Sequence, residues 1–270
     1  MPGRRERTGT IRYTPRVAAL SAVLITLNEE LRLPEALASV AFCDETLVVD
    51  AGSSDRTVAI AQAAGARVII NAPWPGFVPQ RNLALDQARH DWILALDADE
   101  RVSEPLCREI QSLAADGPGL AGYRIPRLTH YLGRWIRATD WYPDWQLRLF
   151  DRRRGRWQGR RVHESVRVAG PVGRLRSPIE HHPYADIAAH LATIDRYTTL
   201  WAQQAFEDGR RAGVLKMTLA PLAAFVRNYV LKRGFTLGEA GLVVSALGSY
   251  YTFVKLAKLR ERSRGGTPAS

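Results

Sequence analysis

The first hundred residues alternate between short apolar runs and polar turns that lead into helical patterns. Apolar runs at residues 18–27, 46–49, 67–70 and 92–97 predict buried strands, and helical periodicity predicts helices near residues 33–40, 56–64 and 80–88. Near-continuous apolar strands are typical of a parallel sheet that is buried on both faces. Repetition of strand, turn, helix and strand predicts right-handed βαβ units. We therefore expect an α/β fold with a mostly parallel sheet flanked by helices.

Polar side chains follow three of these strands at the points where they end. Asn28 and Glu29 follow the first strand, Asp50 ends the second, and Asp97 and Asp99 end the fourth. Ligands of open α/β sheets bind at the carboxyl ends of the strands, which parallel strands bring to one edge. Alternate side chains of an extended segment share a side, so the last two acids can together hold a hard divalent cation. Alternatively, these acids only begin the next helix, where the helix dipole favours negative charge.

Beyond residue 103 the pattern changes to a predicted helix at 104–115, a strand at 122–127 and an aromatic, basic segment at 131–150. Aromatic rings beside polar groups suit sugar rings or single-stranded nucleic acid, and they equally suit the core of a small antiparallel subdomain. Further along, His163 and Glu164 are adjacent, which makes an imidazole and a carboxylate available together as ligands.

From residue 185 the chain is predicted to be helical. The region 216–258 contains apolar helical segments with Lys and Arg at their ends and aromatic residues nearby, as in helices that lie in the membrane interface. A helical oligomer interface is the alternative. No uncharged apolar stretch has the roughly 20 residues needed to cross a bilayer, so we expect peripheral contact with an anionic membrane surface on the cytoplasmic side.

The composition gives a formal net charge of +11 and a pI near 10.2. This excess of positive charge favours phosphate-bearing partners or an anionic membrane. Cys43 and Cys107 have neither metal-type nor redox spacing and are expected to be buried free thiols in a reducing compartment. A chain of 270 residues can form one large α/β domain with a helical extension. We expect a disordered basic arm at 1–16 without a secretory signal, an α/β domain at 17–180, a helical region at 181–262 and a disordered tail at 263–270.

Three segments together resemble a family 2 glycosyltransferase of the GT-A fold, namely residues 23–29 (VLITLNE), 47–57 (LVVDAGSSDRT) and 97–101 (DADER). Residues 133–136 (GRWI), 141–150 (WYPDWQLRLF) and 162–164 (VHE) are similar to a narrower group, the lipopolysaccharide core glucosyltransferases of the KdtX/WaaE type. The resemblance extends from about residue 20 into the C-terminal helices.

The resemblance implies a nucleotide-sugar site and a divalent metal, Mg²⁺ or Mn²⁺. Asn28, Glu29 and Asp50 would hold the uracil and ribose, and Arg81 would face the diphosphate or sugar. The residues implied in nucleotide-sugar binding are Thr26, Asn28, Glu29, Asp50, Gly52, Ser53, Arg81, Asp97 and Ala98. The residues implied in metal binding are Asp99, Asp97, which binds the ribose or assists the metal, and His163.

The chemistry implied by the resemblance is a single in-line displacement that inverts the anomeric carbon. It needs a general base for the acceptor hydroxyl, for which Asp144 is the first candidate and Glu164 the second. Arg148 is expected to pair with Asp144 or with a phosphate.

The leading hypothesis is transfer of a hexose, with glucose as the expected sugar, from a UDP-sugar to a lipid-linked acceptor such as the lipopolysaccharide inner core. The alternatives are a polyprenyl-phosphate glycan or protein acceptor, a sugar-nucleotide nucleotidyltransferase, or a basic nucleic-acid-binding protein. The leading hypothesis predicts no nucleic-acid partner, whereas a steep loss of oligonucleotide binding with salt would favour the last alternative.

Overall fold

The structure is a computed structural model that describes residues 18–159 and 164–264. Its first half alternates strands and helices as the hydrophobic pattern predicts, and β1 pairs in parallel with both β2 and β4, while β2 pairs in parallel with β3. The elements are β1 (Leu20–Thr26), α1 (Leu33–Ser39), β2 (Glu45–Asp50), α2 (Thr57–Ala63), β3 (Arg67–Ile70), α3 (Phe77–Gln87) and β4 (Trp92–Asp97).

The second half of the sheet is mixed rather than parallel. The strand order is β3-β2-β1-β4-β8-β6-β12-β5, and β8 is antiparallel to both β4 and β6. Because β8 is antiparallel to both of its neighbours, β6 and β12 run in the same direction as β1, β2 and β4. These five strands therefore end at the same edge of the sheet, and β8 begins there. The elements are β5 (Glu100–Val102), α4 (Glu104–Asp116), β6 (Gly122–Tyr131), β7 (Arg134–Trp135), β8 (Asp144–Asp151), β9 (Gly155–Gln158), β10 (Ser165–Val168), β11 (Val172–Arg174) and β12 (Ile179–His181).

Apolar side chains cover both faces of the sheet. On one face Leu24 and Leu96 pack with Ile110 of α4, and on the other Leu47 and Ile93 pack in a cluster that includes Leu85 of α3; these side chains are almost completely buried. Each buried leucine or isoleucine contributes about 1.5–3 kcal/mol. Burial on both sides explains why the strands are continuous apolar runs rather than alternating ones.

The C-terminal region is helical, as predicted. It comprises α5 (Ile187–Glu207), α6 (Val214–Val226), a π-helical turn (Arg227–Leu231) that continues α6, a 3₁₀ turn (Gly234–Leu237) and α7 (Gly238–Arg264). Ser249 Oγ donates to the Pro221 carbonyl (2.8 Å) and Arg260 Nη1 to the Ala212 carbonyl (3.0 Å), so α6 and α7 run antiparallel. We call residues 214–264 the helical hairpin.

Both ends of the helical hairpin contact the rest of the protein. At its tip, Asp140 Oδ1 pairs with Lys232 Nζ (2.6 Å), and Arg134 Nη1 donates to the Leu237 carbonyl (2.9 Å). At its open end, Lys258 Nζ donates to the Asp195 carbonyl of α5 (2.8 Å). The hairpin is therefore held at two separate places, by the α/β domain at its tip and by α5 at its open end.

By length and apolar composition alone, Val214–Leu231 and Gly234–Arg264 could each cross a membrane. We did not expect a membrane-crossing length from the sequence, because both segments contain Lys or Arg and so are not uncharged apolar stretches. The predicted boundary at residue 180 lies within β12. The predicted arm at 1–16 and residues 265–270 of the predicted tail lie outside the described residues.

Cys43 and Cys107 are free thiols, as predicted, but each is half-buried rather than fully buried. Burial, with a smaller contribution from the Asp44 carboxylate, raises the pKa of the Cys43 thiol to about 12. This thiol therefore stays protonated and unreactive at neutral pH.

Candidate active site

The turn after β2 is organised by the fully buried carboxylate of Asp50. Its Oδ1 accepts from the backbone N–H groups of Gly52 (2.9 Å) and Ser53 (2.7 Å). Its Oδ2 accepts from the hydroxyls of Thr26 (2.8 Å) and Ser53 (2.6 Å). Gly52 has φ +93°, a conformation that side chains disfavour. Four of the residues predicted from the sequence, Thr26, Asp50, Gly52 and Ser53, are therefore joined by hydrogen bonds at the sheet edge.

The loop after β1 interlocks with this turn. Asn28, at φ +57°, donates its backbone N–H to Ser53 Oγ (2.8 Å) and accepts at Oδ1 from Ser54 N–H (2.9 Å). Burial raises the pKa of the neighbouring Glu29, and the negative charge of Asp99 adds to the effect. The predicted donor-site residues of β1, β2 and β4 thus meet at one edge.

A continuous series of ion pairs runs along the same edge. Asp97 pairs with Arg81 through Oδ1 and with Arg148 Nη2 through Oδ2 (2.6 Å), and the same Nη2 donates to Glu100 Oε1 (2.7 Å). Arg127 Nη1 reaches Glu100 Oε1 (3.3 Å). We call this series the ion chain; its members in order are Arg81, Asp97, Arg148, Glu100, Arg127 and Asp144.

Asp144 lies at the far end of the ion chain, at the start of β8. Its Oδ2 accepts from Arg127 Nε (2.9 Å) and Nη2 (2.6 Å), and its Oδ1 accepts from Gln146 Nε2 (2.7 Å). One third of the side chain remains exposed, so a hydroxyl group from solvent can reach the carboxylate.

Burial makes the ion chain electrostatically strong. Glu100 is fully buried and Arg148 nearly so. Burial alone would raise the pKa of Asp97, but Arg148 and Arg81 outweigh it and hold the pKa of that carboxyl far below its usual range. Burial would likewise lower the pKa of Arg148, but Asp97 and Glu100 raise it. Three guanidinium groups and three carboxylates leave the chain electrically neutral.

A carboxylate and an imidazole meet beside the ion chain. Asp99 Oδ2 lies 3.4 Å from His181 Nε2, and His181 Nδ1 lies 3.1 Å from Thr129 Oγ1. Burial opposes ionisation of Asp99, but the contact with His181 prevails and lowers the pKa of the carboxyl. Within residues 18–159 and 164–264, no cluster of three or more His, Cys, Asp or Glu side chains could hold a metal.

The Asp99–His181 pair nevertheless fits a divalent cation that completes its shell from a diphosphate and water. Mg²⁺ is commonly bound through one or two protein carboxylates together with substrate phosphates. Metal-binding histidines are usually oriented by a second contact at the other ring nitrogen, here Thr129.

His181 was not predicted as a site residue. It faces Asp99 because β12 pairs with β6, which sets His181 opposite Thr129, and because β5 follows Asp99 directly. The only signal in the sequence was the pair of adjacent histidines, His181 and His182. The predicted ligand His163 lies outside the described residues.

Four other predicted residues have different surroundings from those expected. Arg148 pairs with Asp97 and Glu100 rather than with Asp144, the first of its two expected partners, and pairing with a phosphate stays a prediction. The guanidinium of Arg81 binds Asp97 and lies over the Trp157 ring (4.3 Å). Ala98 and Glu164 are not members of the ion chain. Ala98 is buried, and Glu164 directly precedes β10, which forms a separate two-stranded sheet with β9.

Two of the six rings in the aromatic segment 131–150, those of Tyr131 and Phe150, belong to the core, and the other four are partly buried. Tyr131 is buried and packs against Trp141, Tyr184 and His190, with ring centroids 5.2–5.7 Å away. These contacts join β6 to α5, so core packing explains the buried rings.

Comparison with known proteins gives the family. Residues 21–182 match the family model for glycosyl transferase family 2. The chain is 31% identical to the lipopolysaccharide core biosynthesis glycosyltransferase LpsC of Rhizobium meliloti (strain 1021), over 90% of this chain and 92% of that protein. It is 30% identical to an uncharacterised glycosyltransferase of Rickettsia bellii (strain RML369-C), over 93% of this chain and 89% of the relative.

Among solved structures, glucosyl-3-phosphoglycerate synthase from Mycobacterium tuberculosis, in complex with Mn²⁺, UDP and glucosyl-3-phosphoglycerate, is 24% identical with a TM-score of 0.35. That match covers 48% of this chain and 51% of the synthase. The family model, by contrast, matches well over half of this chain, and LpsC aligns with nearly all of it. The chain therefore belongs to glycosyl transferase family 2.

Proposed function

We propose that this protein is an inverting, metal-dependent glycosyltransferase that transfers a hexose, glucose in the first instance, from a UDP-sugar to a lipid-linked acceptor of the lipopolysaccharide inner core. The observation that carries the proposal is the meeting of two interlocked loops, the Asp99–His181 pair and Asp144 at one sheet edge. The name of the relative LpsC, a lipopolysaccharide core biosynthesis glycosyltransferase, supports the acceptor class.

The two interlocked loops form the donor site in this proposal. Asp50 is buried and accepts four hydrogen bonds, so its role is to hold the turn that contains Gly52 and Ser53. Asn28 is exposed and Glu29 half-buried, and these two side chains meet the uracil and ribose.

Asp99 and His181 are the residues that would hold Mg²⁺ or Mn²⁺. When bound, the ion supplies positive charge that stabilises the departing diphosphate. Both oxygens of Asp97 are already engaged by arginines, so we assign Asp97 to positioning rather than to metal binding: it orients Arg81 and Arg148 beneath the donor site.

Asp144 is the general base. It takes the proton of the acceptor hydroxyl, whose oxygen bonds to the anomeric carbon as the bond to the diphosphate oxygen breaks on the opposite face. Arg127 and Gln146 fix the plane of the carboxylate, and its remaining lone pairs accept the hydroxyl proton. Glu164 is the second candidate for this role.

Titration calorimetry with UDP-glucose and MnCl₂, paired with a transfer assay on deacylated inner-core oligosaccharide, tests the proposal. Asp99→Asn should weaken metal-dependent donor binding at least tenfold and reduce turnover by about 10² or more, as expected when charge stabilisation in the transition state is lost. Glu104→Gln, at an exposed carboxylate of α4, is the matched control and should behave as wild type. Undiminished turnover in Asp99→Asn would overturn the proposal. Transfer of the hexose to a polyprenyl-phosphate glycan or to a protein, rather than to the inner-core oligosaccharide, would change only the proposed acceptor.

A further inference from the structure

The helical hairpin presents exposed apolar side chains along both of its helices. Along α6 and its π-helical continuation, the exposed apolar side chains recur every three or four residues and therefore share one side of the helix. A second row follows α7. We call these two rows the outer face; its members are Leu215, Leu219, Leu222, Val226 and Val230, and Leu242, Ala246, Tyr250 and Phe253, and the large side chains among them are 43–72% exposed.

Positive charge surrounds the outer face. Residues 209–264 contain eleven Lys and Arg against two Glu, a net +9 out of the +11 of the whole chain. Lys216 lies near the start of α6, and Lys232 and Arg233 lie at the tip, all exposed. An apolar stripe flanked by cations matches the boundary between acyl chains and anionic headgroups.

The contacts at both ends of the hairpin distinguish lying on a membrane from crossing it. The 18-residue segment Val214–Leu231 is about 27 Å long at the α-helical rise, enough to cross most of a bilayer core. However, Asp140 holds the tip through Arg227 and Lys232, and Asp195 holds the open end through Lys258. A hairpin fixed to the α/β domain at its tip and to α5 at its open end cannot traverse a bilayer, so only its outer face can enter the lipid.

We infer that the outer face inserts in the plane of an anionic phospholipid bilayer, with the surrounding Lys and Arg on the headgroup phosphates. The inference deepens the proposed function and rests on it, because membrane contact brings the enzyme to its acceptor only when that acceptor is lipid-linked. A second copy of the chain is disfavoured as the occupant, since two surfaces that both carry an excess of positive charge repel each other.

The inferred orientation brings the acceptor side of the active site to the membrane. Asp140 N–H donates to Asn228 Oδ1 (2.8 Å), and Thr139 N–H donates to the Lys232 carbonyl (3.1 Å) at the hairpin tip. The turn Thr139–Trp141 leads within a few residues to Asp144, the proposed base. A lipid-linked acceptor would therefore approach Asp144 past the hairpin tip.

Co-sedimentation of the full-length protein with vesicles tests the inference. Phosphatidylethanolamine–phosphatidylglycerol vesicles should bind the protein, pure phosphatidylcholine vesicles should bind it much less, and added NaCl should weaken the first interaction. Leu219→Gln/Leu222→Gln should lower the partition coefficient about tenfold or more, because two apolar side chains no longer enter the lipid. Val172→Gln is the control: an exposed apolar residue of β11, which pairs with the end of β6 away from the active-site edge.

Two further measurements separate the possible results. UDP-glucose binding by calorimetry should be unchanged in the double variant, which shows that it is folded and isolates the membrane effect. If the wild type binds UDP-glucose but not anionic vesicles, the inference is overturned while the proposed function stands; if it binds vesicles but no UDP-sugar, the proposed function fails alone. Light scattering that shows a dimer converted to monomer by the double variant, with vesicle binding intact, would assign the outer face to a second copy and overturn the inference.

Discussion

Replacing Arg148 with methionine should destabilise the protein more than almost any other single substitution at the sheet edge. The variant Arg148→Met keeps the aliphatic bulk but removes the guanidinium that binds Asp97 (2.6 Å) and Glu100 (2.7 Å). Glu100 is fully buried and would keep only Arg127 at 3.3 Å and the Asp97 backbone N–H at 3.0 Å. Breaking a buried ion pair from one side typically costs about 3–5 kcal/mol.

A loss of that size is a large share of the roughly 5–15 kcal/mol that stabilises a typical domain. Urea unfolding followed by tryptophan fluorescence should show it as a lower midpoint with an unchanged slope. Glu100→Gln in the Arg148→Met background should recover part of the loss, because it removes the buried charge left without its main partner.

The matched control for this experiment is Arg108→Gln. Arg108 pairs with Glu104 one turn earlier on α4, both side chains are mostly exposed, and exposed ion pairs contribute about 0–1 kcal/mol. If Arg148→Met unfolds within about 1 kcal/mol of the wild type, buried ion pairing does not stabilise this edge and the reasoning is refuted.

Three other predictions concern the site and its surroundings. Asp144→Asn should bind UDP-glucose as the wild type does but lose about 10²–10⁴ in transfer rate, and a wild-type rate would give the base role to Glu164. His181→Gln should raise the Mn²⁺ concentration needed for donor binding in calorimetry; an unchanged Mn²⁺ requirement would exclude this histidine as a ligand. Burial lowers the pKa of His190 to about 4, so the unfolded chain takes up this proton first and stability falls from about pH 6.5 towards pH 4. At pH 5 the loss from His190 should be on the order of 2 kcal/mol by urea unfolding, and His190→Phe should show a correspondingly shallower pH dependence; parallel pH profiles would contradict this.

Local patterns sufficed to predict the first half of the fold. The four apolar runs became β1–β4, and the turns after them brought Thr26, Asp50 and Asp99 to one edge, because parallel strands align their ends. Membership of glycosyl transferase family 2 confirms the enzyme class that the motifs implied, and the sheet with its flanking helices confirms the α/β fold.

The rest of the site depends on pairings that no local pattern encodes. Insertion of antiparallel β8 between β4 and β6 sets Arg127 beside Asp144, and the register of β12 sets His181 beside Asp99. In the sequence, Arg127 is one arginine among many and His181 is 82 residues from its partner. The resemblance therefore implied Asp144 as the base, a role that stays a prediction, but the arginine named as its possible partner was Arg148 and not Arg127.

The attachment of the hairpin tip to the turn before Asp144 means that the helical region is not a detachable module. Asp140 has Arg227 and Lys232 as ion-pair partners, and Arg134 donates to the Leu237 carbonyl. In a chain shortened before α6, these groups would lose their partners. The segment that positions Asp144, the proposed base, would then no longer be held in place. Shortened chains should therefore be slow even towards water-soluble acceptors, whereas substitutions on the outer face alone should spare that reaction.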